Sequence, residues 1–129
     1  MSVIDHLGLQ VGDYQRALRF YRSALAPLGI SIVMQVTKEQ TGSYEGCGLG
    51  RDRKPSFWLQ GGGKTVPHMH VAFVADSRAA VDAFYEAALA AGGRDNGPPG
   101  VRAHYHPGYY GAFVLDPDGH NIEAVYHGD

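Results

Sequence analysis

The sequence predicts an α+β fold of two βαβββ modules, with helices on one face of mixed, mostly antiparallel sheets. The 129 residues make one domain, with modules at about residues 1–60 and 68–129. Three observations predict this: an internal repeat, a period-two apolar run leading into a helical stripe at the start of each copy, and three short strand-like runs after each helix.

The repeat carries the most weight. Shifting the chain by the separation of His6 and His70 lays HLGLQVGDYQRALRFYRSALAPLG over HVAFVADSRAAVDAFYEAALAAGG without a gap. Identical pairs are His6/His70, Phe20/Phe84, Tyr21/Tyr85, Ala24/Ala88, Leu25/Leu89, Ala26/Ala90 and Gly29/Gly93. Residue frequencies alone would give about one or two identities over such a stretch, so duplication is the better account.

Each copy opens on a predicted strand, residues 3–11 and 68–75, where Leu7, Leu9 and Val11, or Val71 and Phe73, share one face. Asp13 in the first copy and Asp76-Ser77 in the second suit a helix N-cap. The helices that follow place Ala17, Phe20, Ala24 and Leu28 on one stripe, and Val81, Phe84, Ala88 and Ala91 on its counterpart. Pro27 and Gly92-Gly93 are suited to end them. Three strands are then expected at 31–36, 43–49 and 56–60, and three more at 101–106, 110–115 and 121–126. Asp116-Pro117-Asp118-Gly119 is a tight-turn signal, and Gly61 to Pro67 links the halves.

Composition excludes several classes. A net charge of −2 leaves no basic stripe to neutralise phosphates, so nucleic acid is not an expected partner. No stretch approaches the roughly 20 apolar residues of a membrane span, and the first residues lack the basic and apolar regions of a secretory leader. Cys47 is the only cysteine, which excludes an intrachain disulfide and a cysteine-based zinc knuckle. A cytoplasmic setting is expected, with Cys47 as inert core.

Strand parity then selects the chemistry. His6 points away from Leu7 and Leu9, His70 away from Val71 and Phe73, and Glu123 away from Ile122 and Ala124. All three face the side that helix packing does not use. Two imidazoles and a carboxylate can hold a divalent metal and leave positions for substrate. His68, two residues before His70, shares its face and is a further ligand candidate, as is the Gln60 amide. In the run from His104 to Tyr110, Tyr105 and Tyr110 are the candidates for proton transfer, alongside Glu123.

The motifs His6-Leu-Gly-Leu, Phe20-Tyr21 ahead of Leu28-Gly29, His70-Val-Ala-Phe, and Asp116-Pro-Asp-Gly-His-Asn-Ile-Glu123 resemble the vicinal oxygen chelate superfamily of glyoxalases, bleomycin resistance proteins and extradiol dioxygenases over nearly the whole chain. The resemblance implies paired modules forming a cup, with His6, His70 and Glu123 holding Fe, Mn, Ni, Co or Zn. It further implies a homodimer, with the cup completed within one chain or between two. Glyoxalase I-like members carry a second carboxylate where this chain reads Phe57-Trp58-Leu59-Gln60, so the ligand set looks closer to that of extradiol dioxygenases and fosfomycin-type thiol transferases.

The expected substrate is small and bears adjacent oxygens. Lyase, isomerase, ring-cleavage and thiol-transfer chemistry all remain open at this stage. So does a metal-free drug- or metabolite-binding role of the bleomycin-resistance type.

Overall fold

The structure, a computed structural model, describes residues 3–128; Met1, Ser2 and Asp129 lie outside the described residues. The first module runs β1 (Leu7–Gln10), α1 (Tyr14–Leu25), a 3-10 turn (Ala26–Leu28), β2 (Ser31–Val36), α2 (Lys38–Thr41), β3 (Gly46–Gly50) and β4 (Phe57–Gln60). The second runs β5 (His70–Val74), α3 (Arg78–Ala90), β6 (Arg94–Val101), β7 (Tyr109–Leu115) and β8 (Asn121–His127). Each module forms its own four-stranded sheet, ordered β1-β4-β3-β2 and β5-β8-β7-β6. In both, the opening strand pairs in parallel with the closing one and the other pairings are antiparallel. The repeat is therefore a repeat of topology, and the two four-stranded sheets with their helices form the α+β arrangement expected.

The helices begin where local chemistry dictates. The Asp13 carboxylate accepts the Arg16 N–H at the start of α1, and the Ser77 hydroxyl accepts the Ala80 N–H at the start of α3. Helix α1 buries Tyr14, Ala17, Leu18, Phe20, Tyr21, Ala24 and Leu25; α3 buries Val81, Phe84 and Ala88. The two helices pack on each other, so their apolar faces and one face of each sheet merge into a single core spanning both modules. No helix of the described residues is long and apolar enough to cross a membrane.

Two departures from the sequence expectations have clear causes. The strand expected at 101–106 lies instead at Arg94–Val101 and contains Gly97-Pro98-Pro99-Gly100. That strand is the outermost of its sheet, and two register shifts against β7 let its prolines sit where no ladder donor is needed. Residues 102–108 form a turn, held by Tyr105 N–H to the Arg102 carbonyl and Tyr109 N–H to the His106 carbonyl, and this carries His104 and Tyr105 out of the sheet. The short α2 was not expected, although Thr37 and Gln40 form a reciprocal capping box whose spacing is visible in the chain.

The junction between modules is polar as well as apolar. The Asp116 carboxylate, only 2% exposed, accepts the Asp118 and His120 N–H groups at 2.9 and 2.8 Å within its own turn. Its second oxygen accepts the Tyr21 hydroxyl from α1 of the other module. Burial, reinforced by the Asp116 charge, pushes the Tyr21 phenol well above its usual value, so it stays a donor. Gly12 N–H donates to Asp118 across the same junction. Tyr21→Phe leaves a buried carboxylate oxygen without its donor. It should lower unfolding free energy in urea by about 1.5–3 kcal/mol, the range for hydrogen bonds to charged groups.

Candidate functional site

Strand parity places the polar residues as the chain's alternation requires. Ile122 and Ala124 are fully buried towards the helices, which turns Glu123 to the opposite face of β8. Glu123 is nonetheless 1% exposed, covered by side chains from both neighbouring strands. From β5, His70 Nε2 lies 2.8 Å from Glu123 Oε1. Ala72, paired directly with Glu123, is too small to come between them. From β7, the Tyr109 hydroxyl donates to Glu123 Oε2. Tyr109 reaches it across Gly111, where a Cβ would meet the Tyr109 ring at 3.2 Å and Glu123 Oε2 at 3.3 Å.

A buried carboxylate is thus held at both oxygens, with the His70 side chain about half exposed at the mouth of the cluster. Burial first, and then the Glu123 carboxylate, push the Tyr109 phenol well above its usual value. The phenol therefore acts as a donor that fixes the rotation of Glu123. The 2.8 Å between His70 Nε2 and Glu123 Oε1 is close to the roughly 3 Å that separates adjacent ligand atoms each about 2.1 Å from one ion, so this pair fits two positions of a divalent-metal site.

His6 occupies the corresponding place in the first module, just before β1. Its Nδ1 is 2.7 Å from an Asp5 oxygen, and the other Asp5 oxygen pairs with Lys54 Nζ at 2.6 Å. The hydrogen bonds from His6 and Lys54 hold the Asp5 carboxyl below its usual range. With Nδ1–H given to Asp5, the His6 Nε2 lone pair is left for another partner, the arrangement that carboxylates impose on metal-ligating histidines. His6 lines a concavity with Gly8, Tyr44, Trp58 and Gln60, on the open face of the first sheet.

Within one chain, then, His70 and Glu123 come together and His6 does not join them. Among the described residues no group of three or more His, Cys, Asp or Glu side chains is placed to hold a metal. Gln60 shares the concavity of His6 rather than that of Glu123. His68 stands against the Gly119 turn, its ring edge-to-face with the buried His120 at 5.9 Å. Tyr110 lies on the opposite face of β7 and donates to Asp82 on α3. Tyr105 is 57% exposed on the turn after β6, with its ring 4.7 Å from that of Tyr109. Tyr109 is the residue that sequence reasoning passed over. Its signal was parity: with Tyr109 and Tyr110 adjacent, only one can share a face with Glu123, and the pairing of Phe113 with Glu123 selects the odd-numbered set. Cys47 is fully buried, and burial raises its thiol above the ordinary range, so it is no nucleophile.

Comparison with known proteins agrees with this fold. The profile of the Glyoxalase/Bleomycin resistance protein/Dioxygenase superfamily matches residues 3–124. A glyoxalase/bleomycin resistance protein from Albidiferax ferrireducens T118 superposes with a TM-score of 0.70 at 27% identity, covering 97% of this chain and 98% of that one. A glyoxalase I mutant from Zea mays superposes at 0.71 with 21% identity over 98% of this chain and 45% of its own. A mutant of the fosfomycin resistance protein FosX from Listeria monocytogenes, complexed with Mn(II) and 1S,2S-dihydroxypropylphosphonic acid, superposes at 0.68 with 18% identity, covering 96% and 91%. No curated protein sequence matches the chain.

The raised phenols have a measurable consequence. A tyrosine whose folded value lies above its unfolded value, near 10, contributes stability that is complete below pH 10 and lost as pH rises through the folded value. Tyr14, Tyr21 and Tyr109 are all raised, each chiefly by burial. Folding stability should therefore fall above about pH 10. In ultraviolet difference titration, Tyr109→Phe should remove one late-ionising phenol and leave the early ones unchanged.

Proposed function

Because this chain belongs to the Glyoxalase/Bleomycin resistance protein/Dioxygenase superfamily, we propose that it is a metal-dependent enzyme acting on a small substrate with two adjacent oxygens. The observation that carries this reading is the His70–Glu123–Tyr109 cluster, a buried carboxylate oriented at one oxygen and facing an imidazole at the other. His70 Nε2 and Glu123 Oε1 hold the divalent ion, and His6 Nε2, oriented by Asp5, completes the set from a second copy of the chain. The ion, when bound, supplies Lewis-acid stabilisation to the negative charge that develops on the substrate oxygens.

The protein's own contributions follow from the geometry. Tyr109 keeps Glu123 in one rotamer, so that Oε1 rather than Oε2 faces His70. Phe113 flanks His70, with ring centroids 6.1 Å apart, and limits water on that side. Glu123 and the exposed Tyr105, whose ring lies 4.7 Å from that of Tyr109, are the groups proposed to take or return protons at the substrate.

Two observations bear on a shared site. His6 and His70 flank β1 and β5, each an outer strand of its sheet, whose free edge meets Thr65 at Gln10 in β1 and the Arg51 side chain at Val74 in β5. Within one chain the modules meet through α1 and α3 and through Phe57 and Phe73, whose ring centroids lie 5.2 Å apart. Setting the β1 edge of one chain beside the β5 edge of another joins two sheets into a cup and brings His6 to Glu123. A homodimer of this kind has two equivalent sites.

Protein purified without chelator or affinity tag should carry close to one divalent ion per chain, and His6→Ala, His70→Ala and Glu123→Gln should each lose it. Mixing His6→Ala with Glu123→Gln chains decides the sharing. If sites form between chains, half the dimers are mixed and each has one intact site, restoring about a quarter of wild-type metal and activity. Sites built within one chain would restore none. A wild-type protein that carries no metal and takes up none would instead favour the metal-free binding role.

A further inference from the structure

We propose that the concave face of the first module binds a planar aromatic ring, laid against the indole of Trp58. The proposal rests on the reading of that face as one wall of the ligand cup, and it names the class of substrate the cup admits.

Trp58 is the only tryptophan in the chain and stands in the middle of β4. Its neighbours Phe57 and Leu59 are 2% and 1% exposed and point into the core. Parity turns Trp58 the other way, half-buried, onto the open face that His6 and Gln60 share. A tryptophan kept for core volume would stand with Phe57 and Leu59.

The strands on either side shape what that indole can do. Its Cα partners are Gly8 on β1 and Gly48 on β3. A Cβ on Gly48 would meet Cε2 and Cζ2 of the indole at 3.0 Å and the Pro55 side chain at 2.7 Å, so the ring lies down across the backbone of β3 with Pro55 beside it. A Cβ on Gly8 would meet nothing within 4 Å, which leaves the space over β1 open. The result is an aromatic surface backed by main chain, in a concavity also lined by Tyr44, Gln60 and the Lys54–Asp5–His6 chain.

Such a surface selects by shape and by electron distribution. A flat ring can lie on the indole in an offset stack, whereas a puckered saturated ring of the same carbon count touches it at a few hydrogens only. His6, just before β1, lines the same concavity as Gly8 and Trp58. Substituents of a stacked ring can therefore reach the imidazole proposed as a metal ligand.

Having one tryptophan makes the test direct, because one indole N–H resonance reports the platform. Full-length protein, both as purified and after chelator treatment, is titrated with 2-naphthoate and with its fully saturated decahydro analogue. Binding is followed by calorimetry and by the 15N–1H spectrum. The aromatic probe should bind at least about tenfold more tightly in both preparations and should shift the indole resonance. Trp58→Leu should erase that preference, Trp58→Phe should keep most of it, and Gly48→Ala should weaken it by tilting the indole. Equal affinities for the two probes, or binding of 2-naphthoate that leaves the indole resonance unmoved, would overturn the proposal, and the wild-type spectrum decides this even if a variant fails to fold. Loss of metal binding alongside a retained aromatic preference would refute the metal reading alone.

Discussion

The packing of α1 against α3, locked by the buried hydrogen bond from Tyr21 to Asp116, is the contact on which the rest of the arrangement depends. It consumes the apolar stripes of both helices and the inner face of both sheets in one core. Everything that could face a ligand is thereby left on the outer faces of the sheets. Polar residues in alternate strand positions then become available for chemistry without any cost to the core. The turn from Asp116 to His120 serves two purposes at once, since it closes the β7–β8 hairpin and presents its carboxylate to the other module.

Glu123 shows how a buried charge is made tolerable by its surroundings. A carboxylate taken out of water is costly unless each oxygen finds a donor, and here Tyr109 and His70 occupy one oxygen each. Small residues make that possible. Ala72 lets the imidazole lean across from β5, and Gly111 lets the phenol reach across β7. Superfamily membership is shown by the profile match over residues 3–124, while the likeness to the glyoxalase I and FosX structures, at 21% and 18% identity, shows the fold alone. The proposal of a metal therefore rests on the spacing of this chain's own side chains.

The two halves of the candidate site are unequal in finish. In the second module the carboxylate beside His70 is buried and bonded at both oxygens, whereas in the first the carboxylate beside His6, that of Asp5, is exposed.

Much of this was legible in the chain because it is local or periodic. The gapless repeat marked the two modules, N-cap residues marked the helix starts, and parity turned His70 and Glu123 away from Val71 and Ile122, since side-chain direction along a strand depends only on counting residues, whereas His6 lies just before β1. The strand at Arg94–Val101 was missed because its prolines read as breakers, and only its place at the sheet edge makes them harmless. The choice of Tyr109 over Tyr110 required the register between β7 and β8. Whether His6 meets Glu123 within a chain was beyond reach of any local pattern. That depends on how two rigid modules pack, a long-range balance of helix faces against sheet edges that no single stretch of sequence contains.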